Sequence, residues 1–226
     1  MSLKIRGWRK ITKIICSSIA VLLLAVIIIR LVVWENSYYH EKEGSERDAP
    51  VVVEEEELIE EKPDEVTVRE YTVAADRPRY LSIEKLGVVN ARILPVGVNT
   101  KGELETPNNI FDVGWYEASG KPGRGKTLVI DGHNGGPHVH GVFKDLPSLT
   151  NGDKIVVERG DGEKFIYEVI ENVAVSLEES DTYMGVALKS PEAGRESLTL
   201  ISCTGEWSQT KKTYLSRQFT RAVLTK

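Results

Sequence analysis

Between Tyr80 and Thr225 the chain alternates short runs of β-branched, aliphatic and aromatic residues with Gly, Pro, Asn and Asp. That rhythm restricts the region to architectures built from short strands. The runs are Tyr80 to Ile83, Ala91 to Val96, Thr127 to Asp131, Lys154 to Glu158, Lys164 to Val175, Leu198 to Ser202 and Arg217 to Thr225. Gly160-Asp-Gly162 separates two of them and is a strong hairpin signal, because glycine enters the left-handed backbone region without steric cost. The spacing predicts a mainly β fold closed, or nearly closed, into a barrel. Short helices are expected in connections, at Ile110 to Tyr116, Val142 to Leu146 and Ser180 to Ala187. There is no internal repeat, and no glycine-rich nucleotide-binding pattern follows a strand.

The region before the barrel divides by charge. Residues 1–10 are basic, and residues 11–34 hold an uncharged Ile, Leu and Val run from Ile14 to Ile29 that continues past Arg30 to Trp34. At about 1.5 Å per helical residue the run reaches the roughly 30 Å of a bilayer core. Arg30 lies near enough to the far end to snorkel, and Trp34, Tyr38 and Tyr39 suit an interfacial belt. With basic residues before the span and Glu35, Glu41 and Glu43 after it, the expected topology is a single-pass anchor, N-terminus cytoplasmic, remainder outside the cell membrane. No small-x-small cleavage site follows the run, which argues against a removable signal peptide. Cys16 precedes most of the apolar run and reads as an inert membrane residue.

Residues 35–70 are acidic, densest at Glu54-Glu-Glu-Glu57 and Glu60-Glu61, and are expected to form an extended, disordered tether. A helical docking arm is the alternative there. The chain's formal net charge of −5 is mostly a property of this tether. No basic, aromatic-interleaved face is visible, so nucleic acid is not an expected partner. Residues 71–226 remain as one modest folded domain.

Cys203 is then the single extracytoplasmic cysteine, so it forms no intramolecular disulfide. It closes the run Leu198-Thr-Leu-Ile-Ser-Cys203 and is followed by the polar break Thr204-Gly205-Glu206, which puts its thiol at the mouth of a strand. There it reads as a nucleophile, with an inert core thiol as the alternative. Thr127-Leu-Val-Ile-Asp-Gly-His133 delivers a histidine from a second strand end, and Arg217 opens the last run. Nucleophile, proton carrier and permanent cation are the parts that acyl transfer needs. Arg221 competes with Arg217, because residues four apart on a strand share a face. Arg217, nearer in depth to Cys203, is favoured. A rival reading gathers His133, His138 and His140 as a zinc site. The Gly135-Gly136-Pro137 turn and the lack of an adjacent carboxylate or thiol count against it, and no metal or organic cofactor is expected.

These pieces resemble the sortases, membrane-anchored cysteine transpeptidases mainly of Gram-positive cell surfaces. Tyr80-Leu-Ser-Ile-Glu-Lys-Leu-Gly-Val-Val-Asn-Ala-Arg-Ile-Leu-Pro-Val-Gly97 is similar to the opening of a sortase barrel. Lys101 to Asn109, Asp112-Val-Gly-Trp-Tyr116 and Lys121-Pro-Gly123 resemble the class F branch, and Gly132-His-Asn with Gly141 to Asp153 resembles the family's histidine loop. The family usually has Thr where this chain has Ser202, a mild departure because the hydroxyl remains. The resemblance implies an eight-stranded closed barrel with Cys203, His133 and Arg217 as catalytic residues. It implies cleavage of a Leu-Pro-x-Thr-Gly-like sorting motif between Thr and Gly through a thioacyl enzyme. Transfer is then to an amine of a cell-wall precursor or a pilin lysine. A cysteine hydrolase on the same barrel and a non-enzymatic surface binding module are the alternatives.

Overall fold

The computed structural model describes residues 27–31, 33–35 and 57–225. The expected cytoplasmic tail, Cys16 and most of the expected span and tether lie outside the described residues. Residues 27–31 and 33–35 are helical and expose Ile27, Ile28, Ile29, Leu31, Val33 and Trp34. Among the described residues no helix is long and apolar enough to cross a membrane.

Eight strands close a barrel: β1 (Pro78–Ile83), β2 (Val88–Val96), β3 (Val113–Tyr116), β4 (Thr127–Gly132), β5 (Lys154–Arg159), β6 (Lys164–Ser176), β7 (Ser197–Ser208) and β8 (Thr213–Leu224). Around the barrel they run β1-β2-β3-β4-β7-β8-β6-β5, and β5 returns to β1. The pairs β2/β3 and β4/β7 are parallel and the others antiparallel. Period-two alternation fills the interior: Leu81 and Ile83, Leu128 and Ile130, Ile155 and Val157, Phe165, Tyr167 and Val169, and Leu198 and Leu200 meet in one cluster with Trp115. The buried Trp115 indole satisfies its N–H by donating to Gly120 O at 2.9 Å.

Seven of these strands follow the expected runs with shifted ends, whereas β3 falls within residues expected to be a helical turn. Val113-Gly-Trp-Tyr116 becomes a strand because β2 and β4 pair with its two edges and its Val113 and Trp115 alternate into the core. The helix expected at Val142 to Leu146 is replaced by turns at residues 142–145 that lead into a 3₁₀ segment, Leu146–Ser148. The tether boundary also moves. Ile59 forms a parallel bridge with Asn109, and helix α1 (Glu65–Glu70) starts at Asp64, whose carboxylate accepts from Thr67 N at 2.6 Å. Residues 57–70 are thus ordered on the barrel domain: Tyr71 and Tyr80 hydroxyls donate to Ile93 O and Val68 O, giving this acidic segment anchors that its composition does not reveal.

Helix α2 (Leu177–Ala187) matches the expected helix and extends it toward the N-terminus. Ser176 is its N-cap, with Oγ accepting from Glu179 N and donating to Glu179 Oε2. The helix is held to the outer face of the sheet at its C-terminal end. Thr199 Oγ1 donates to Ala187 O at 2.8 Å, and Arg221 donates to Val186 O and Lys189 O while pairing with Glu171. Arg221 is only 6% exposed, so its charge depends on these partners. Arg221→Ala is expected to lower stability by about 2–4 kcal/mol, because it removes the cation paired with Glu171 and the donors to Val186 O and Lys189 O at the end of α2. Urea unfolding checks this, and an unchanged midpoint contradicts it.

Candidate active site

The site lies on the outward face of β4, β7, β8 and β6, opposite the barrel interior. Hydrogen-bond register sorts that face into rows across the strands. One row is Val129, Thr199, Arg221 and Glu171, beneath α2; the next is Asp131, Ile201, Phe219 and Val173; a third sets Cys203 opposite Arg217, and Arg217 opposite Val175. The β4/β7 ladder ends at Asp131 opposite Ile201, and His133 follows directly after Gly132, the last residue of β4. Ser202 locks that end of the ladder: its Oγ donates to Gly132 O at 2.8 Å in a buried setting. Gly132 has no side-chain room, since a Cβ there meets the Phe143 ring at 2.8 Å. Phe143 in turn belongs to the barrel core. His133 is therefore projected from a strand end pinned on both sides.

Arg217 and Arg221 do share a face, as alternation requires, and the rows separate them. Arg221 lies two rows from Cys203 under α2, whereas Arg217 is the direct cross-strand neighbour of Cys203. The Arg217 guanidinium is aimed by donating to Tyr214 O at 3.0 Å, Ser216 O at 3.2 Å and Thr213 Oγ1 at 3.2 Å, and no carboxylate pairs with it among the described residues. The expected strand end at Cys203 is corrected: β7 continues to Ser208. The polar break is instead an irregularity between Thr204 and Trp207, where Gly205 adopts φ +82°. The ladder is disturbed just beyond the thiol.

Burial shifts the thiol, the imidazole and the Asp131 carboxyl of this face. Burial moves the Cys203 thiol above its ordinary 9.0; the Arg217 cation opposes this and the nearby Asp131 carboxyl adds to it. Burial moves the His133 imidazole below its ordinary 6.5, partly offset by the Pro107 carbonyl, which lies 2.9 Å from Nε2. Because a carbonyl only accepts, Nε2 carries the hydrogen and Nδ1 is the atom that takes and releases a proton. The uncharged thiol and imidazole are the favoured resting forms.

Asp131 belongs to this environment although its residue type alone did not mark it for the site; a carboxylate ending an apolar strand two residues before a histidine was the available signal. It is 8% exposed, Oδ2 accepts from Thr106 Oγ1 at 2.6 Å, and Oδ1 is buried without a partner among the described residues. Burial pushes its pKa up to about 7, with the Thr106 hydrogen bond opposing. His138 and His140 are exposed, and His138 Nδ1 donates to Glu60 at 2.8 Å. Among the described residues no group of three His, Cys, Asp or Glu side chains is arranged to hold a metal, so the three-imidazole reading finds no cluster there.

A family model described as the sortase domain matches residues 81–225. The chain belongs to the sortase family. The solved structures to which this sortase is similar include sortase A from Corynebacterium diphtheriae, at 24% identity and a TM-score of 0.46. That match covers 68% of this chain and 63% of the other, so the sortase described here spans under two thirds of that relative's length. A sortase D5 transpeptidase from Clostridium perfringens is 22% identical with a TM-score of 0.47, covering 71% of this chain and 86% of that one. A pilus-related sortase C of Group B Streptococcus is 21% identical with a TM-score of 0.48, covering 77% of each chain. No curated protein matches the sequence.

Two measurements follow from the charges around the thiol. Removing the cation in Arg217→Ala is expected to raise the Cys203 pKa and to slow iodoacetamide alkylation on the order of tenfold near neutral pH. An unchanged rate contradicts the electrostatic coupling. For Asp131, a folded pKa of about 7 against an ordinary 3.8 means the folded chain binds the proton more tightly. Its contribution to stability is complete below the unfolded pKa and is lost as pH rises through the folded value. Asp131→Asn, which stays neutral, is expected to be the more stable form at alkaline pH by up to about 4 kcal/mol, and this advantage shrinks on acidification. Chemical denaturation across pH checks the sign.

Proposed function

We propose that this sortase is a class F-like, membrane-anchored transpeptidase that cleaves a Leu-Pro-x-Thr-Gly-like motif between Thr and Gly and joins the Thr to an amine. The observation that carries the reading is the row in which Cys203 faces Arg217 directly, on the strand whose partner β4 ends just before His133. The Cys203 thiolate attacks the Thr carbonyl carbon, and the oxyanion that forms is stabilised by Arg217 and by backbone N–H groups near Cys203. His133, protonated on Nδ1, gives its proton to the departing glycine amine as the C–N bond breaks, leaving a thioester on Cys203. An incoming amine attacks the thioester, neutral His133 takes its proton, and the thiolate leaves as the new amide forms. A cell-wall precursor amine or a pilin lysine is the proposed acceptor.

The proposed anchor rests on the basic residues 1–10, the apolar run from Ile14 to Trp34, and the acidic residues beyond it. It places the catalytic domain on the outer face of a cell membrane, where sorting-signal proteins emerge. The apolar side chains of residues 27–34 that are exposed on the short helical stretch suit such a segment.

The test is a peptide series built on Leu-Pro-x-Thr-Gly, with and without an amine nucleophile. Amine-dependent ligation and a thioester on Cys203 seen by mass spectrometry are expected; cleavage that water resolves equally well makes the protein a hydrolase instead. Cys203→Ala is expected to abolish turnover, and Arg217→Ala to slow the chemical step by about two to three orders of magnitude. The pH profile is also determined in sign. Because burial raises the thiol and lowers the imidazole, the bell is expected to be broad, its acid limb below the ordinary imidazole value of 6.5 and its alkaline limb above the ordinary thiol value of 9.0. Only a small fraction of molecules then holds thiolate and imidazolium together. A rate that rises with pH and shows no fall at the alkaline end removes His133 from the acid role.

A further inference from the structure

The segment leading into α1 is stapled across both stretches that hold His133. On one side, Ile59 N donates to Asn108 O at 2.9 Å, Ile110 N donates to Ile59 O at 3.1 Å, and Asn109 Nδ2 donates to Glu61 O at 2.9 Å. The residue just before this stretch is Pro107, whose carbonyl takes the His133 Nε2 hydrogen. On the other side lies the turn that follows His133. It folds back on itself through a Gly135–His140 bridge and a Gly136 N to Val139 O hydrogen bond of 2.9 Å, and its return limb reaches His133 again through Phe143 N donating to His133 O at 2.9 Å. Glu60 caps the tip of this turn. One carboxylate oxygen accepts from His138 N at 2.8 Å and Val139 N at 3.1 Å, and the other accepts from His138 Nδ1 at 2.8 Å.

We propose that Glu60 is a positioning residue for His133, holding the 135–140 turn against the Pro107–Ile110 stretch so that the imidazole keeps its Pro107 partner. The proposal rests on the reading of His133 as proton carrier. Val142 N donates to Ile110 O at 2.9 Å and joins the two stretches by main chain, and residues 59–61 tie to both of them. Three donors on one carboxylate make this a specific contact and not a general attraction between an acidic tail and a loop. They also hold the Glu60 carboxyl below its ordinary range, so it stays an anion at the pH where the enzyme works. Glutamine at this position retains an oxygen for the two backbone N–H groups, whereas alanine leaves the turn uncapped.

The experiment uses the full chain and two readouts: turnover of the Leu-Pro-x-Thr-Gly peptide, and the His133 imidazole titration followed by NMR. Glu60→Ala is expected to lower kcat on the order of tenfold with KM little changed, because a misplaced proton donor affects the chemical step. The His133 titration is expected to move to lower pH, since the carbonyl that favours the charged ring is no longer held in place. Glu60→Gln is expected to recover most of both. Asn109→Ala, which removes the tie to Glu61, serves if Glu60→Ala does not fold, and is expected to shift the titration the same way. A wild-type titration in Glu60→Ala overturns the proposal, whether or not the melting temperature or kcat falls. Faster turnover in that variant overturns it as well, since the segment is then an obstruction. If the wild-type chain ligates no peptide, the transpeptidase reading fails while the titration still decides whether Glu60 positions His133.

Discussion

The parallel ladder between β4 and β7, continued by the antiparallel ladder between β7 and β8, sets everything at the candidate site. These pairings bring together residues that are distant in the chain, with Asp131 opposite Ile201 and Cys203 opposite Arg217. A shift of one residue in either ladder turns Cys203 or Arg217 to the interior face, where Leu200 and Ala222 now pack. Register is therefore enforced by the core: the apolar residues that alternate inward hold the polar ones that alternate outward. The Ser202 hydroxyl on Gly132 O adds a side-chain lock at the row where the two ladders meet the site.

The same face explains why the two arginines differ. Arg221 is enclosed by Glu171 and the carbonyls at the end of α2, so its charge is used in attaching a helix. Arg217 meets backbone carbonyls and a hydroxyl, which orient a guanidinium without neutralising it. A cation left uncompensated beside a thiol is suited to a transient oxyanion. The site is nevertheless not tuned to a resting ion pair, because burial acts on Cys203 and His133 in opposite directions and favours the neutral form of both. Asp131, with one oxygen unpartnered among the described residues, favours the uncharged thiol of Cys203 when it ionises.

Much of this was legible in the chain itself. Strand runs ending in Cys203 and His133, an arginine opening the last run and a short helix before β7 are local patterns, governed by side-chain alternation and turn chemistry that operate over a few residues. The structure places seven of the eight strands on those runs. What escaped was non-local. Val113 to Tyr116 is a strand because two neighbours pair with it, and the acidic residues 57–70 are ordered because Tyr71, Tyr80 and the turn after His133 offer partners far along the sequence. Composition weighs only the residues within a segment, and these partners lie outside it.

The sequence by itself therefore determined the barrel class, the nucleophile and histidine candidates, and the division into basic, apolar, acidic and β-rich regions, since each depends on the identity and spacing of near neighbours. Only the tertiary structure decided which arginine faces the thiol, that Asp131 lies buried beside it, and that Glu60 reaches the histidine loop. Those three outcomes depend on strand register and on the depth of each residue along its strand, and both are set by long-range pairing. Alternation gives a side chain its face, but the partner strand decides its row.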